Sequence, residues 1–273
     1  MATVNEAVAG AVLALAMVAA HADATLDKIR SRGSVSVGVV LGGAPYGDVD
    51  GHSGQPQGFN VDLARSVAQH LGVKLDLVVV TPANRVQFLQ TGKVDLLLAN
   101  MQWTQDRAEI LSFVPTQYDE SGGAAMVRKG SGIKRWEDLR GKPVCLSQGS
   151  NFAKPLLEKY GAQLKALPSM PEALLALKGG ACVASVHISS GIHRLLETEA
   201  DWKDYESPIA SDLIPSPGVI WVRRGEKDTV SALDRIVKQW HGSGWLIQTA
   251  RKEHLTVPPV IYALHDKFAT TAR

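Results

Sequence analysis

Cysteine is scarce in this 273-residue chain, which holds only Cys145 and Cys182. Two thiols are too few for a disulfide-dense small scaffold, and no C-x-x-C pair offers a zinc ribbon. An excess of charge is also missing. Lys plus Arg number 29 against 27 Asp plus Glu, a formal net charge of +2. That balance, with basic residues scattered along the chain, argues against nucleic acid as a partner. Motifs of familiar catalysts are absent: no G-x-S-x-G, no H-E-x-x-H, no P-loop, no G-x-G-x-x-G after a strand. The eight histidines include no pair at zinc-ligand spacing, so neither a metal nor a cofactor is expected.

Long hydrophobic runs are limited to one. Residues 7–20, AVAGAVLALAMVAA, are too few to span a bilayer comfortably. They lead into Ala20-His21-Ala22, a small-residue cleavage pattern, so residues 1–22 read as a secretory signal peptide. The leading MATVNE lacks the usual Lys or Arg; a packed N-terminal helix is the alternative reading. Export leans the two cysteines, 37 residues apart, towards one disulfide. Closing that loop would be worth roughly 4 kcal/mol. Two free core thiols are the alternative.

What is present is an alternation of strand and helix. Residues 35–40, VSVGVV, read as a buried strand that ends in a Gly- and Pro-rich loop carrying Tyr46. In GFNVDLARSVAQHLG, Phe59, Leu63, Val67 and Leu71 form one helical stripe, with Gly72 as a stop. A strand over 73–80, a helix over 82–90 with Pro82 near its first turn, and a strand over 94–99 follow. Residues 118–123 read as a crossing between domains. A second series then runs through strands at 124–128, 143–147, 164–167 and 182–186, with helices at 152–160 and 171–178. Residues 212–217 read as irregular and 219–223 as a strand. Val230, Leu233, Val237 and Trp240 mark a final amphipathic helix. The order β-α-β, repeated, predicts α/β architecture with mostly parallel sheets flanked by helices.

The stretch 92–110, GKVDLLLANMQWTQDRAEI, carries the most chemistry. A buried strand delivers a polar loop with Asn100, Gln102 and Thr104, and then Arg107 at a helix start. A guanidinium matches a carboxylate with two parallel hydrogen bonds. An ordinary solvated arginine is the competing reading. In the second series, Gln148-Gly149-Ser150-Asn151 joins a strand to a helix. Its backbone N–H groups could face an anion, or Ser150 and Asn151 could simply cap the helix. His187, at a strand's carboxyl end, could face a pocket or be a satisfied structural histidine.

These segments resemble the periplasmic substrate-binding proteins of polar amino-acid ABC transporters, solute-binding protein family 3. The resemblance rests on GVVLGGAPYG, GFNVDLARSVAQHLG, the G-K-V-D and T-x-x-R-A elements of 92–110, KGSGIKRWEDLRGKPVCLSQGSN, and SALDRIVKQWHGSGWL. It implies the type II periplasmic binding protein fold: two lobes, each a mostly parallel sheet with helices, joined by two hinge crossings near Tyr118 and Pro217. Lobe 1 would comprise 23–118 and 218–273, and lobe 2 would comprise 119–217. It implies a monomeric, non-catalytic periplasmic protein that captures a small carboxylated solute, an amino acid or related organic acid. The solute would pass to a membrane permease of an ABC transporter. By position, Arg107 would fork onto the ligand carboxylate. Asn100 and Gln102 would line the lobe 1 side, with Tyr46, and Ser150 and Asn151 would donate from lobe 2, where His187 also stands. Gly43 falls where several members place a stacking aromatic. Cys145 and Cys182 match positions that form a disulfide in some members.

One departure stands out. The family's lobe 2 strand usually ends in an aspartate that pairs with an α-ammonium, and here that position reads as Ile188. That departure counts against an ordinary α-amino acid; a carboxylate without an ammonium, a ligand paired by another acid such as Asp119 or Glu120, and a site that has lost its original ligand are the alternatives. A cyclohexadienyl-dehydratase-like enzyme on the same fold and a ligand-presenting sensor partner are the alternative functions.

Overall fold

The computed structural model describes residues 24–269, so the signal-peptide reading of 1–22 lies outside the described residues. After helix α1 (Ala24–Arg32), the first sheet is built from β1 (Ser34–Val39), β4 (Lys74–Val79), β5 (Leu96–Leu97), β6 (Leu111–Phe113) and β13 (Trp221–Arg223). Its order is β4-β1-β5-β13-β6. A small hairpin of β2 (Asp48–Val49) and β3 (Pro56–Gln57) lies apart from it. Helices α2 (Phe59–Leu71), α3 (Arg85–Gln90) and α4 (Gln105–Ile110) connect its strands.

The second sheet contains β7 (Asp119–Arg128), β8 (Pro143–Ser147), β9 (Gln163–Leu167), β10 (Ala184–Ile188), β11 (Tyr205–Glu206) and β12 (Leu213–Gly218). Its order is β11-β7-β10-β8-β9, with β12 also paired to β7. Helices α5 (Ala153–Glu158), α6 (Met170–Lys178) and α7 (Ser189–Thr198) belong to it. Helices α8 (Lys227–Gly242), α9 (Trp245–Lys252) and α10 (Pro259–Ala269) follow β13. The chain thus passes from one sheet to the other after Phe113 and returns after Gly218. These are the two units of a two-lobed α/β fold.

Sequence dictates these elements locally. In β1, Val35, Val37 and Val39 are fully buried against Leu63 and Val67 of α2. Burying each such side chain is worth roughly 1.5–3 kcal/mol. Helix α2 stops where expected, because Gly72 takes the left-handed conformation (φ 67°) and its N–H caps Ala68 and Gln69 carbonyls. Asp95, the acid of G-K-V-D, is buried and pins β5 to its surroundings. Its Oδ2 accepts from the Ser36 N–H (2.8 Å) and from the Arg32 guanidinium. Trp240 and Ile236 of α8 close the first core, while Val144, Val186, Phe152 and Leu156 centre the second. Cys145 and Cys182 form a disulfide with Cα atoms 5.8 Å apart, bracing β8 against the entry to β10.

Several expectations shift. In each sheet three neighbouring strands are parallel (β4-β1-β5 and β9-β8-β10), and antiparallel strands complete it. The helix expected over 82–90 begins at Arg85. Thr81 and Asn84 instead bind each other's backbone N–H (2.8 and 3.2 Å), making a turn that competes with the helix. Residues 119–123, expected in a crossing, already belong to β7, and the irregular 212–217 is largely β12, with a register shift between Leu213 and Ser216. The strand over 94–99 keeps only Leu96–Leu97 in its ladder, although the whole stretch is buried. The strand expected over 182–186 sits at Ala184–Ile188, which brings His187 and Ile188 into the sheet.

Candidate functional site

A cavity of about 100 Å³ lies where the carboxyl ends of β5, β8 and β10 approach one another. This is where ligands sit in open α/β sheets. Tyr46, Asn100, Gln102, Ser150, Asn151 and His187, all expected at a site, line it together. Arg107 does not line it but stands one carbonyl away.

The first-lobe wall is assembled by short-range chemistry. Asn100 follows β5 with φ 51°, a left-handed conformation that asparagine tolerates better than most residues. That turn aims the carbonyls of Ala99 and Asn100 at Arg85, whose Nη1 donates to both. Thr104 then caps α4: its Oγ1 accepts the Arg107 N–H (3.3 Å). The T-x-x-R spacing therefore fixes Arg107 in the first turn. Arg107 Nη1 donates to the Gln102 carbonyl (2.7 Å) and Nη2 to the Gly149 carbonyl (2.9 Å). Arg85 Nη2 reaches the same Gly149 carbonyl at 3.4 Å.

The two guanidiniums thus converge on one oxygen of the opposite lobe. Gly149 is required there: its φ is 72°, and a Cβ would stand 2.5 Å from the Pro82 carbonyl oxygen. Among the described residues neither Arg85 nor Arg107 has a carboxylate within ion-pair distance, and the neighbouring Asp106 pairs with Lys154 (3.8 Å). Burial, followed by repulsion from Arg107, lowers the Arg85 pKa to about 9; burial lowers that of Arg107 to about 10. Uncompensated buried charge is costly, so the geometry favours an anion nearby.

The second-lobe wall is neutral. Burial pushes His187 down to about 3, so its imidazole is uncharged, and Nε2 shares a hydrogen bond with Ser185 Oγ (2.9 Å). Ser150 Oγ accepts the Phe152 N–H (3.3 Å), so it does cap a turn. Asn151 Nδ2 is buried without a hydrogen-bond partner. Ile188 lines the cavity and packs against the cores of both lobes.

Tyr46 links the halves. Its hydroxyl donates to Asp119 Oδ2 (2.8 Å) and accepts from Ser190 Oγ (3.0 Å). Burial raises Asp119 to about 6, the Tyr46 hydrogen bond opposing that rise. Gln102 Nε2 donates across to Ser121 Oγ (3.1 Å).

Arg85, 4% exposed, escaped the sequence reading, as did Met170 and Phe152. Its signal was faint but physical: Arg85 and Leu89, one helical turn apart, share the buried face of α3. Among the described residues no group of three or more His, Cys, Asp or Glu could hold a metal ion, and no helix is long and apolar enough to cross a membrane.

Comparison with known proteins gives these dimensions a context. The model of the family described as bacterial extracellular solute-binding proteins, family 3, matches residues 35–254. The ABC transporter glutamine-binding protein GlnH of Bacillus subtilis (strain 168) is 26% identical over 225 residues, covering 81% of each chain. The crystal structure of the P235GK mutant of ArgBP from T. maritima is similar with a TM-score of 0.78 and 28% identity, over 84% of this chain and 99% of that one. The cysteine-binding protein from Campylobacter jejuni gives a TM-score of 0.79 at 27% identity, over 85% and 94%.

Proposed function

Because the chain belongs to family 3 of the bacterial extracellular solute-binding proteins, we propose that it captures a small carboxylated solute in the periplasm. It hands that solute to the membrane permease of an ABC importer, and acts as a monomer. The lobes that close on the solute are 23–118 with 218–273, and 119–217. The observation that carries this reading is the pair of desolvated guanidiniums, Arg85 in the cavity wall and Arg107 one carbonyl away, which converge on Gly149 with no carboxylate partner. An incoming carboxylate supplies the missing charge and can replace the Gly149 carbonyl as acceptor for the Arg107 fork. Asn100, Gln102, Tyr46, Ser150, Asn151 and His187 then surround the rest of the solute.

Capture, rather than catalysis, is favoured by what the cavity wall contains. Protonating a leaving hydroxyl needs a general acid within hydrogen-bond reach. Among the residues lining the cavity there is no carboxylic acid, and the His187 imidazole is uncharged.

A thermal-shift screen of amino acids, 2-oxo acids and dicarboxylates, followed by calorimetry, tests the reading. A solute at 100 times its Kd stabilises the fold by about 2.7 kcal/mol. The expected result is a stabilising carboxylate whose binding collapses in Arg85→Ala and weakens in Arg107→Ala. No stabilising carboxylate, or binding unchanged in both variants, contradicts it.

A further inference from the structure

The formal charge in the cavity wall is of one sign. Of the residues lining it, Arg85 alone carries a formal charge, and that charge is positive. Glu120 is not in the lining, and neither is Asp119. Asp119 is buried behind Tyr46, whose hydroxyl occupies its Oδ2 and is itself already accepting from Ser190. Asp212, also outside the lining, is engaged through its Oδ2 by Ser189 Oγ (2.7 Å). A cation entering the cavity therefore meets a guanidinium and no counter-charge.

Two amide nitrogens in this wall are available as donors. Asn151 Nδ2 is a buried donor without an acceptor. Asn100 spends its Oδ1 on accepting from Asn60 Nδ2, which leaves the donor end of its amide. An ammonium adds three more donors to such a wall, whereas an oxo or hydroxyl oxygen brings the acceptor that Asn151 lacks. A buried donor left unpaired is costly, and an unpaired buried ammonium more so.

The other end of the cavity is apolar. Met170 Cε lies 3.6 Å from a Cβ built on Gly43, and Met170 Sδ lies 3.9 Å from one built on Gly191. These three residues, from a loop of the first lobe and from α6 and α7 of the second, close one end, beside Ile188.

We infer that the preferred solute is a small carboxylate without an α-ammonium, a 2-oxo or 2-hydroxy acid with an apolar side chain, and that the matching amino acid is discriminated against. The inference rests on the carboxylate-capture reading above and narrows it. In the bound state the carboxylate lies at Arg85 and Arg107, the 2-oxygen accepts from Asn151 Nδ2, and the side chain points to Met170.

Matched ligand triplets test this on the wild-type protein by calorimetry at pH 7. Pyruvate, lactate and alanine form one triplet; 2-oxoisovalerate, 2-hydroxyisovalerate and valine form another. The expected result is that the oxo or hydroxy acid binds tighter than its amino acid by about ten-fold or more. An amino acid that binds as tightly as its oxo and hydroxy counterparts overturns the inference and leaves carboxylate capture standing. If no member of either triplet binds while another carboxylate does, the inference fails alone. If no carboxylate of any kind binds, both readings fail. The variant Ile188→Asp adds an acid to the cavity wall and should invert the ranking, with circular dichroism confirming that it folds. A folded Ile188→Asp that leaves the ranking unchanged also counts against the inference.

Discussion

On one side of the cavity, Arg85 and Arg107 bring two guanidiniums held by the carbonyls of Ala99, Asn100 and Gln102. On the other, Ser150, Asn151, Phe152, His187 and Ile188 bring no formal charge. The first wall carries positive charge fixed by backbone carbonyls. The second offers neutral polar groups beside the apolar Phe152 and Ile188. The two lobes meet where the Gly149 carbonyl of the second accepts from both guanidiniums of the first. The difference teaches that charge and apolar shape are supplied separately, each by one lobe.

Each perturbation of one wall should leave the signature of that wall. The largest effect expected is on the second lobe's stability. Cys145→Ser with Cys182→Ser removes the brace beneath β8, the strand that carries the 148–151 turn. Denaturant unfolding should show a loss of roughly 4 kcal/mol. A loss near zero would mean the turn is held by packing alone. Next comes the charged wall. Arg85→Ala deletes a charge-assisted contact and leaves two buried carbonyls short of a donor, so carboxylate affinity should fall on the order of 100-fold by calorimetry.

Gly149→Ala attacks the seam between the walls. The added Cβ cannot sit 2.5 Å from the Pro82 oxygen, so the lobes must stand apart. Small-angle scattering should report a more open particle, and affinity should fall roughly 10-fold, at a folding cost of about 1 kcal/mol for the left-handed backbone. Unchanged scattering and affinity would remove Gly149 from the closure account.

The smallest effect is in the pH dependence. Asp119 has a folded pKa of about 6, above its ordinary 3.8, so its contribution is present at low pH and lost as pH rises through 6. His187 has a folded pKa of about 3, below its ordinary 6.5, so its contribution is present at neutral pH and lost as pH falls towards 3. Between pH 4 and 6 the two oppose each other. Asp119→Asn removes one side, and its stability should fall more steeply than the wild type's between pH 6 and 4, by roughly 1–3 kcal/mol. Parallel pH profiles for the two proteins would show that the opposition is absent.

Much of this was legible in the chain, for reasons that differ by element. The stripe of Phe59, Leu63, Val67 and Leu71 with Gly72 gave α2 its exact bounds, because period and stop signal agreed. The helix start at Arg107 was legible because its signal is local, whereas Thr104, read as a polar loop residue, caps α4 and does not line the cavity. Residues 212–217 were not, because β12 exists only through pairing with β7, a tertiary partner that composition does not reveal. Arg85 was missed for a similar reason. Its burial depends on Asn100 turning left-handed fifteen residues away and presenting carbonyls to it. The polar loop was visible; which arginine it would enclose was not. Tyr46 could be placed in a site, but its bonds to Asp119 and Ser190 could not, since they join three distant segments.

The central claim is that the charged wall selects for a carboxylate. Calorimetric titration of the best solute from the screen beside its primary amide, identical but for the charge, tests this most directly. The account predicts that the acid binds and the amide does not bind measurably at the same concentrations. An amide that binds as tightly as the acid would contradict it.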